Sequence, residues 1–161
     1  MCKENMGENT LMDSSLSKGD LAQELYEKGY NCCQAVLGAF SRELGLDEKQ
    51  ALMLASSFGG GMGKLREVCG AVTAMFMIAG YKYGYSDVND KEAKEEHYRL
   101  IQKLGEEFKK KNGSIICREL LNLNEESDTS QLLERKDESG DNRPCPNLVR
   151  CGAEIIEREI K

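Results

Sequence analysis

From Val68 to Tyr81 the chain is apolar at every position but Thr73, a run of 14 residues. That is short of the ~20 residues a bilayer-spanning helix needs, yet a helix apolar on all sides cannot lie on a wet surface. The run therefore predicts a central helix over about residues 67 to 83, enclosed by other helices. The expected fold class is all-α, a compact multi-helix bundle built around this buried segment. Gly70, Ala71, Ala74 and Ala79 keep its surface low, so that neighbouring helices can approach closely.

The flanking sequence supplies those neighbours. Ser17 and Asp20 can cap a first helix carrying Leu21, Ala22, Leu25 and Tyr26, with Gly29 at its end. Asn31 can cap a second, which carries Cys32, Cys33, Ala35, Val36, Leu37, Ala39, Phe40 and Leu44 and closes at Gly45. Asp47 with Gln50 resembles a capping box and opens a third helix with Ala51, Leu54, Ala55 and Phe58 inward. Residues 90 to 112 show an amphipathic stripe of Ala93, His97, Leu100, Ile101, Leu104 and Phe108, stopped by Gly113. Ser114 can cap a short helix through Cys117, Leu120 and Leu121. Pro144 and Pro146 open a last helix with Leu148, Val149, Ala153, Ile155, Ile156 and Ile160. Residues 1–15 are polar and read as a flexible N-terminus, residues 124 to 143 as a surface loop, and residues 16–161 as a single helical domain. A chain of 161 residues can bury ~70% of the surface its unfolded form exposes, enough for one core without disulfide staples.

Composition narrows the partners. With 22 Lys and Arg against 28 Asp and Glu, the net charge of -6 opposes phosphate backbones and anionic lipid, so neither nucleic acid nor a membrane is an expected partner. The start of the chain lacks the apolar stretch of a secretory signal, and the expected location is cytoplasmic. In that reducing compartment seven cysteines, an odd number, fit metal ligation, redox chemistry or core packing better than a disulfide framework.

Four of the cysteines share a placement. Cys32 follows Asn31, Cys69 follows the glycine loop, Cys117 follows Ser114 and Cys145 lies beside Pro144, so each falls at or near the first turn of its own helix. A thiol there meets unpaired backbone N–H groups and the positive end of the helix dipole, which favour thiolate. Four such placements suggest helix starts converging on one negatively charged object, and a four-thiolate iron–sulfur or zinc site is such an object. The spacing itself contains no Cys-x-x-Cys pair, and the competing reading is that each Cys is a small buried hydrophobe. Cys33 is turned ~100° from Cys32 around a helix and reads as core. Cys151 faces a different side from Cys145 and reads as a core or surface thiol.

The segment Gly59, Gly60, Gly61, Met62, Gly63 reads first as a turn between two packed helices. Its bare amides at Gly60, Gly61 and Gly63 can also form an anion-binding concavity over cluster sulfurs or a small oxyanion. It is not a nucleotide P-loop, because Lys64 is followed by Leu65 and Phe58 stands where the leading glycine belongs. His97, the tyrosines 81, 83 and 85, and Met53, Met75 and Met77 all read as packing groups, with His97 hydrogen-bonded in the interior.

Residues Asn31 to Gly84 resemble the redox-active family named for its cysteine pattern, C_GCAxxG_C_C. The likeness lies in Asn-Cys-Cys-Gln-Ala-Val at 31 to 36, Phe-Gly-Gly-Gly-Met-Gly at 58 to 63 and Cys-Gly-Ala-Val-Thr-Ala at 69 to 74. Cys117 before Arg118, Glu119 and Leu120 is similar to the family's third cysteine, and Cys145 with Pro146, Leu148 and Val149 to its fourth. Ala74 stands where the motif has its final glycine. The pattern also occurs in the iron–sulfur part of split-Soret cytochromes, so the resemblance implies electron transfer and a cluster of [2Fe-2S] type with Cys32, Cys69, Cys117 and Cys145 as ligands. It implies no haem here, since the chain has no Cys-x-x-Cys-His and one histidine. Three functions then compete: a cluster carrying single electrons to an unidentified redox partner protein, a thiol–disulfide exchanger with Cys69 as low-pKa nucleophile, and an interaction domain held by structural zinc. No motif marks a specific reaction, so enzymatic activity stays open, as does a homodimer.

Overall fold

The computed structural model describes residues 15–123 and 144–161. The expectations of a flexible start and of a loop at 124–143 fall, apart from Ser15, outside the described residues, as does Cys2. The described residues form an all-α fold: α1 Lys18–Glu27, α2 Cys32–Ser41, α3 Glu48–Ala55, α4 Gly70–Tyr83, α5 Lys91–Asn112, α6 Cys117–Leu120 and α7 Cys145–Glu159.

Short polar side chains set the helix starts. Ser17 Oγ accepts the amide of Asp20 at the head of α1, and Asp47 accepts that of Gln50 at the head of α3. Asn31 and Gln34 make a full reciprocal box at the head of α2, at 2.9 and 3.1 Å. Each accepts an amide that the first turn leaves without a helical partner. Gly29 and Gly113, at φ 107° and 93°, let the chain leave α1 and α5 in a conformation that other residues rarely adopt.

The core forms where the apolar stripes meet. Val36 and Phe40 of α2, Val72, Met75 and Ile78 of α4, Leu104 and Phe108 of α5, and Val149, Ile155 and Ile156 of α7 are all fully buried. α4 packs on α2, α5 and α7, while α1 lies across α2 and α7. Ala74 is fully buried, so a methyl group is accommodated at the position of the motif glycine. Among the described residues no helix is long and apolar enough to cross a membrane.

Four details differ from the sequence reading. The central helix begins at Gly70 and not near residue 67, because residues 67 to 69 are extended and paired with another segment. Its last turn leaves the core, with Tyr81 57% and Tyr83 45% exposed. On α3 only Ala51 and Ala55 are buried, whereas Leu54 is 70% and Met53 65% exposed. A short helix resting on one neighbour hides a narrow stripe, and residues ~100° away in rotation fall outside it. His97 also departs from expectation: its Nδ1 is buried without a hydrogen-bond partner, and its ring meets Tyr85 edge-on with centroids 6.2 Å apart.

Candidate functional site

Two of the cysteines are brought together by a fragment of antiparallel pairing. Val68 bridges Ile116, the amide of Cys69 donates to Ile115 O at 2.8 Å, and the amide of Cys117 donates to Glu67 O at 2.6 Å. Side chains alternate faces along extended chain. Cys69 and Cys117 therefore share the face opposite to Val68 and Ile116. The pairing places the start of α4 beside the start of α6, several tens of residues apart in sequence.

The glycine segment wraps this pair with an unusual backbone. Every residue from Gly60 to Lys64 has φ between 61° and 68°, a left-handed turn, and Arg66 follows at φ 62°. L-residues pay of order 1–2 kcal/mol each for such a conformation, so the chain can form it only because Gly60, Gly61 and Gly63 carry most of it. Close approach matters as much as conformation. A Cβ on Gly61 would stand 2.5 Å from Cys117 Cβ, and one on Gly70 would stand 2.5 Å from Cys32 Sγ and 2.9 Å from Phe58 O. Phe58, which begins this segment, thus presses the head of α4 against the head of α2. The Asn31 side chain, donating to Ser56 O at 3.0 Å, closes the same contact.

These constraints enclose a cavity of about 640 Å³ lined by Cys32, Cys69, Cys117 and Cys145, together with Gly59, Gly60, Gly63, Lys64, Arg66 and Gly70. Its size lies within the range of small-molecule and cofactor sites. All four sequence-predicted cysteines thus reach one cavity from four helix starts. Of the predicted glycines, Gly60 and Gly63 line it; Gly61 packs on Cys117 instead. None of the four thiols is in a disulfide. Among the described residues no three His, Cys, Asp or Glu side chains are grouped as a single metal ion would need. The remaining cysteines stand elsewhere: Cys33 is fully buried with its sulfur 3.9 Å from Met77 Sδ, and Cys151 accepts from Asn112 Nδ2 at 3.3 Å.

The electrostatics of the lining oppose those of the whole chain. A protein of net charge -6 builds this cavity with Lys64 and Arg66 and with no Asp or Glu among the described lining residues. The starts of α4 and α7 carry no side-chain cap, which leaves the positive ends of both dipoles to act on the site. Burial nevertheless wins over the dipole at Cys69. Loss of water pushes its thiol up, the Cys32 sulfur adds to the rise, the amides of Ala71 and Val72 pull partly back, and Cys117 adds a last increment. Burial likewise pushes Cys33 up to about 12, with Cys32 contributing. The expectation that Cys69 is an activated, low-pKa nucleophile is therefore not met by its surroundings.

Sequence reasoning missed Arg66. It is only 5% exposed, its Nη1 lies 3.8 Å from Cys117 Sγ, and its Nε is buried with no hydrogen-bond partner among the described residues. A buried guanidinium without a carboxylate is costly, and an anionic occupant of the cavity would offset that cost. Four cysteines that could ligate once deprotonated, an orphaned buried cation and exposed backbone together could hold a thiolate-bound anionic group. Nothing in the sequence singles out this arginine except its place between the glycines and Cys69.

No curated protein and no solved structure compared with the chain is a match. A family model does match, over residues 30–159, and its description reads "Putative redox-active protein (C_GCAxxG_C_C)". The matched span takes in all four cavity cysteines, the left-handed glycine turn and the buried central helix. By its sequence, the chain belongs to the C_GCAxxG_C_C family of redox-active proteins.

Proposed function

We propose that this protein is a one-electron carrier that holds an iron–sulfur cluster of [2Fe-2S] type on Cys32, Cys69, Cys117 and Cys145. The observation that supports the reading is that these four cysteines, each at its own helix start, line one cavity that has cations and no carboxylate in its described lining. A bound cluster supplies reversible uptake of single electrons. The chain's own residues do the rest. The four thiols ligate after giving up their protons, so loading releases acid. Buried walls around Cys69 and Cys117 limit water, and the amides and dipole at the head of α4 offset negative charge.

The ring of thiols around a cavity suits a group with more than one metal better than a single zinc, whose four donors must sit about 2.3 Å from one point. Burial of Cys69 argues against thiol–disulfide exchange, since exchange needs an accessible thiolate. A reducing compartment such as the cytoplasm suits such ligands, and the electron partner is a second protein.

The test is anaerobic purification followed by reconstitution with iron and sulfide, visible spectroscopy and metal analysis. The expected product is coloured, bleaches on reduction and contains about two irons and two sulfides per chain. Cys69→Ser and Cys117→Ser each lose the colour. A colourless product that takes up zinc and unfolds on chelation selects the structural-zinc function instead.

A further inference from the structure

We infer that Arg66 sets how readily the centre proposed above accepts an electron, its buried guanidinium favouring the reduced state; the inference rests on the iron–sulfur reading of the cavity. The geometry singles this cation out. Lys64 lines the same cavity but is exposed at its rim, where water and salt screen it. Arg66 is buried, 3.8 Å from the sulfur of one proposed ligand, and among the described residues it makes no ion pair that would neutralise it.

The surrounding backbone holds it there. The amide of Arg66 donates to Gly60 O at 3.2 Å, and its carbonyl accepts from both Arg118 N at 3.1 Å and Arg118 Nε at 3.2 Å. Arg118 is fixed in turn by an ion pair with Glu67. Arg66 itself adopts φ 62°, a conformation uncommon for a residue with a side chain. Strain of that kind persists where the surroundings over-determine it, and it clusters at functional sites. Gly60 lies alongside the guanidinium, and a Cβ there would stand at ordinary contact distance, 3.6 Å, from Nη1.

The electron balance is simple. One electron leaves a one-electron donor protein and enters the centre, whose charge becomes one unit more negative. No bond to Arg66 forms or breaks, and no proton moves. A fixed cation at short range in a poorly solvated cavity stabilises the more negative state more than the less negative one. Arg66 acts through the ligand sulfur and is an electrostatic positioning residue, without contact to substrate.

The experiment compares reconstituted wild type, Arg66→Gln and Arg66→Lys in an anaerobic potentiometric titration, with dithionite and mediators, followed by visible absorption. Loss of the charge in Arg66→Gln is expected to lower the electron-sharing equilibrium constant at least tenfold, which is 59 mV for one electron. The visible spectrum of the oxidised form stays as in wild type. Arg66→Lys keeps the charge and is expected to remain within threefold. An Arg66→Gln potential within threefold of wild type overturns the inference and leaves the iron–sulfur reading standing. Where Arg66→Gln does not retain iron, Arg66→Lys decides: a value within threefold of wild type supports the role of charge, and a fall of more than tenfold overturns it. Wild type that takes up no iron and sulfide overturns the reading of the site, and the role of Arg66 falls with it.

Discussion

The two ends of α4 belong to one helix and obey different rules. At its head, Gly70 touches Cys32 Sγ and Phe58 O so closely that a methyl group has no space, and Cys69 is tied by its amide to Ile115. At its foot, Tyr81 and Tyr83 are about half exposed, Val88 beyond them is 88% exposed, and Tyr85 and Tyr98 hydroxyls stand 3.3 Å apart at the surface. Between the two, Val72, Met75 and Ile78 are packed on all sides. Burial alone explains the middle, and ordinary surface chemistry explains the foot. At the head the tight contacts reach across to α2 and to the glycine segment, whereas the tight contact at the foot, Gly84 against Gly80 O, stays within the helix end; the four cysteines line the cavity at the head.

The contrast is broken most directly by a pair of alanine substitutions. Gly70→Ala forces a Cβ onto a sulfur and a carbonyl oxygen, and overpacking of that kind costs about 1–3 kcal/mol, with the upper part expected here because one obstacle is backbone. Tyr81→Ala removes an exposed ring and is expected to stay within about 0.5 kcal/mol. Urea unfolding of both variants measures the difference. Equal costs would mean that the head of α4 is no more constrained than its foot, and the description of the site as rigid would be lost.

How much of this was legible beforehand follows from the range of the forces involved. Helix starts at Ser17, Asn31, Asp47 and Pro144 could be read because a cap or an opening proline acts within three or four residues of its own position. The central helix could be read because burial on every side leaves an unbroken apolar run. The convergence of Cys32, Cys69, Cys117 and Cys145 was expected from their helix starts and from the family resemblance, yet the device joining two of them was invisible. A single bridge at Val68 and Ile116 is too short to produce the alternation that marks a strand. Arg66 was invisible for a related reason: its burial depends on a left-handed turn that places it beside Cys117, and no local pattern distinguishes it from the cations that lie on the surface. Leu54 and Met53 failed in the opposite sense, being apolar residues on a helix too lightly covered to hide them.

Adjacent cysteines sharpen the contrast at smaller cost. Cys32 lines the cavity, while Cys33, one position on, points into the core against Met77. Cys33→Ala removes one buried sulfur and is expected to cost about 1 kcal/mol through the small void it leaves, without loss of visible absorption in the reconstituted protein. Cys32→Ala has little core to lose, so its stability changes less, but it abolishes the absorption. Denaturant midpoints and spectra of the two variants separate core from ligand. Loss of colour in Cys33→Ala would exchange their roles and require α2 to rotate by about one residue.

The smallest expected effect lies away from both ends of α4, where α1 meets α7. Asp20 accepts from the Ser17 hydroxyl at 2.6 Å and forms an ion pair with Arg150. The Ser17 hydrogen bond, and after it the Arg150 charge, hold the carboxyl below its ordinary value of 3.8, with partial desolvation working against them. A carboxyl whose native value is depressed binds its proton less readily when folded, so unfolding takes up protons as the pH falls. Its contribution is present above about pH 4 and is lost as the pH drops through the native value. Because the group is exposed, that contribution is small and shrinks in high salt. Asp20→Asn should therefore flatten the fall in urea midpoint between pH 5 and pH 3 at low salt, and the two proteins should converge at the acid end. An Asn variant whose midpoint falls as steeply as wild type would show that the Asp20 charge adds nothing to the join between α1 and α7, leaving it to the apolar contacts and to the hydrogen bond from Arg150 Nε to Gln23 Oε1 at 2.8 Å.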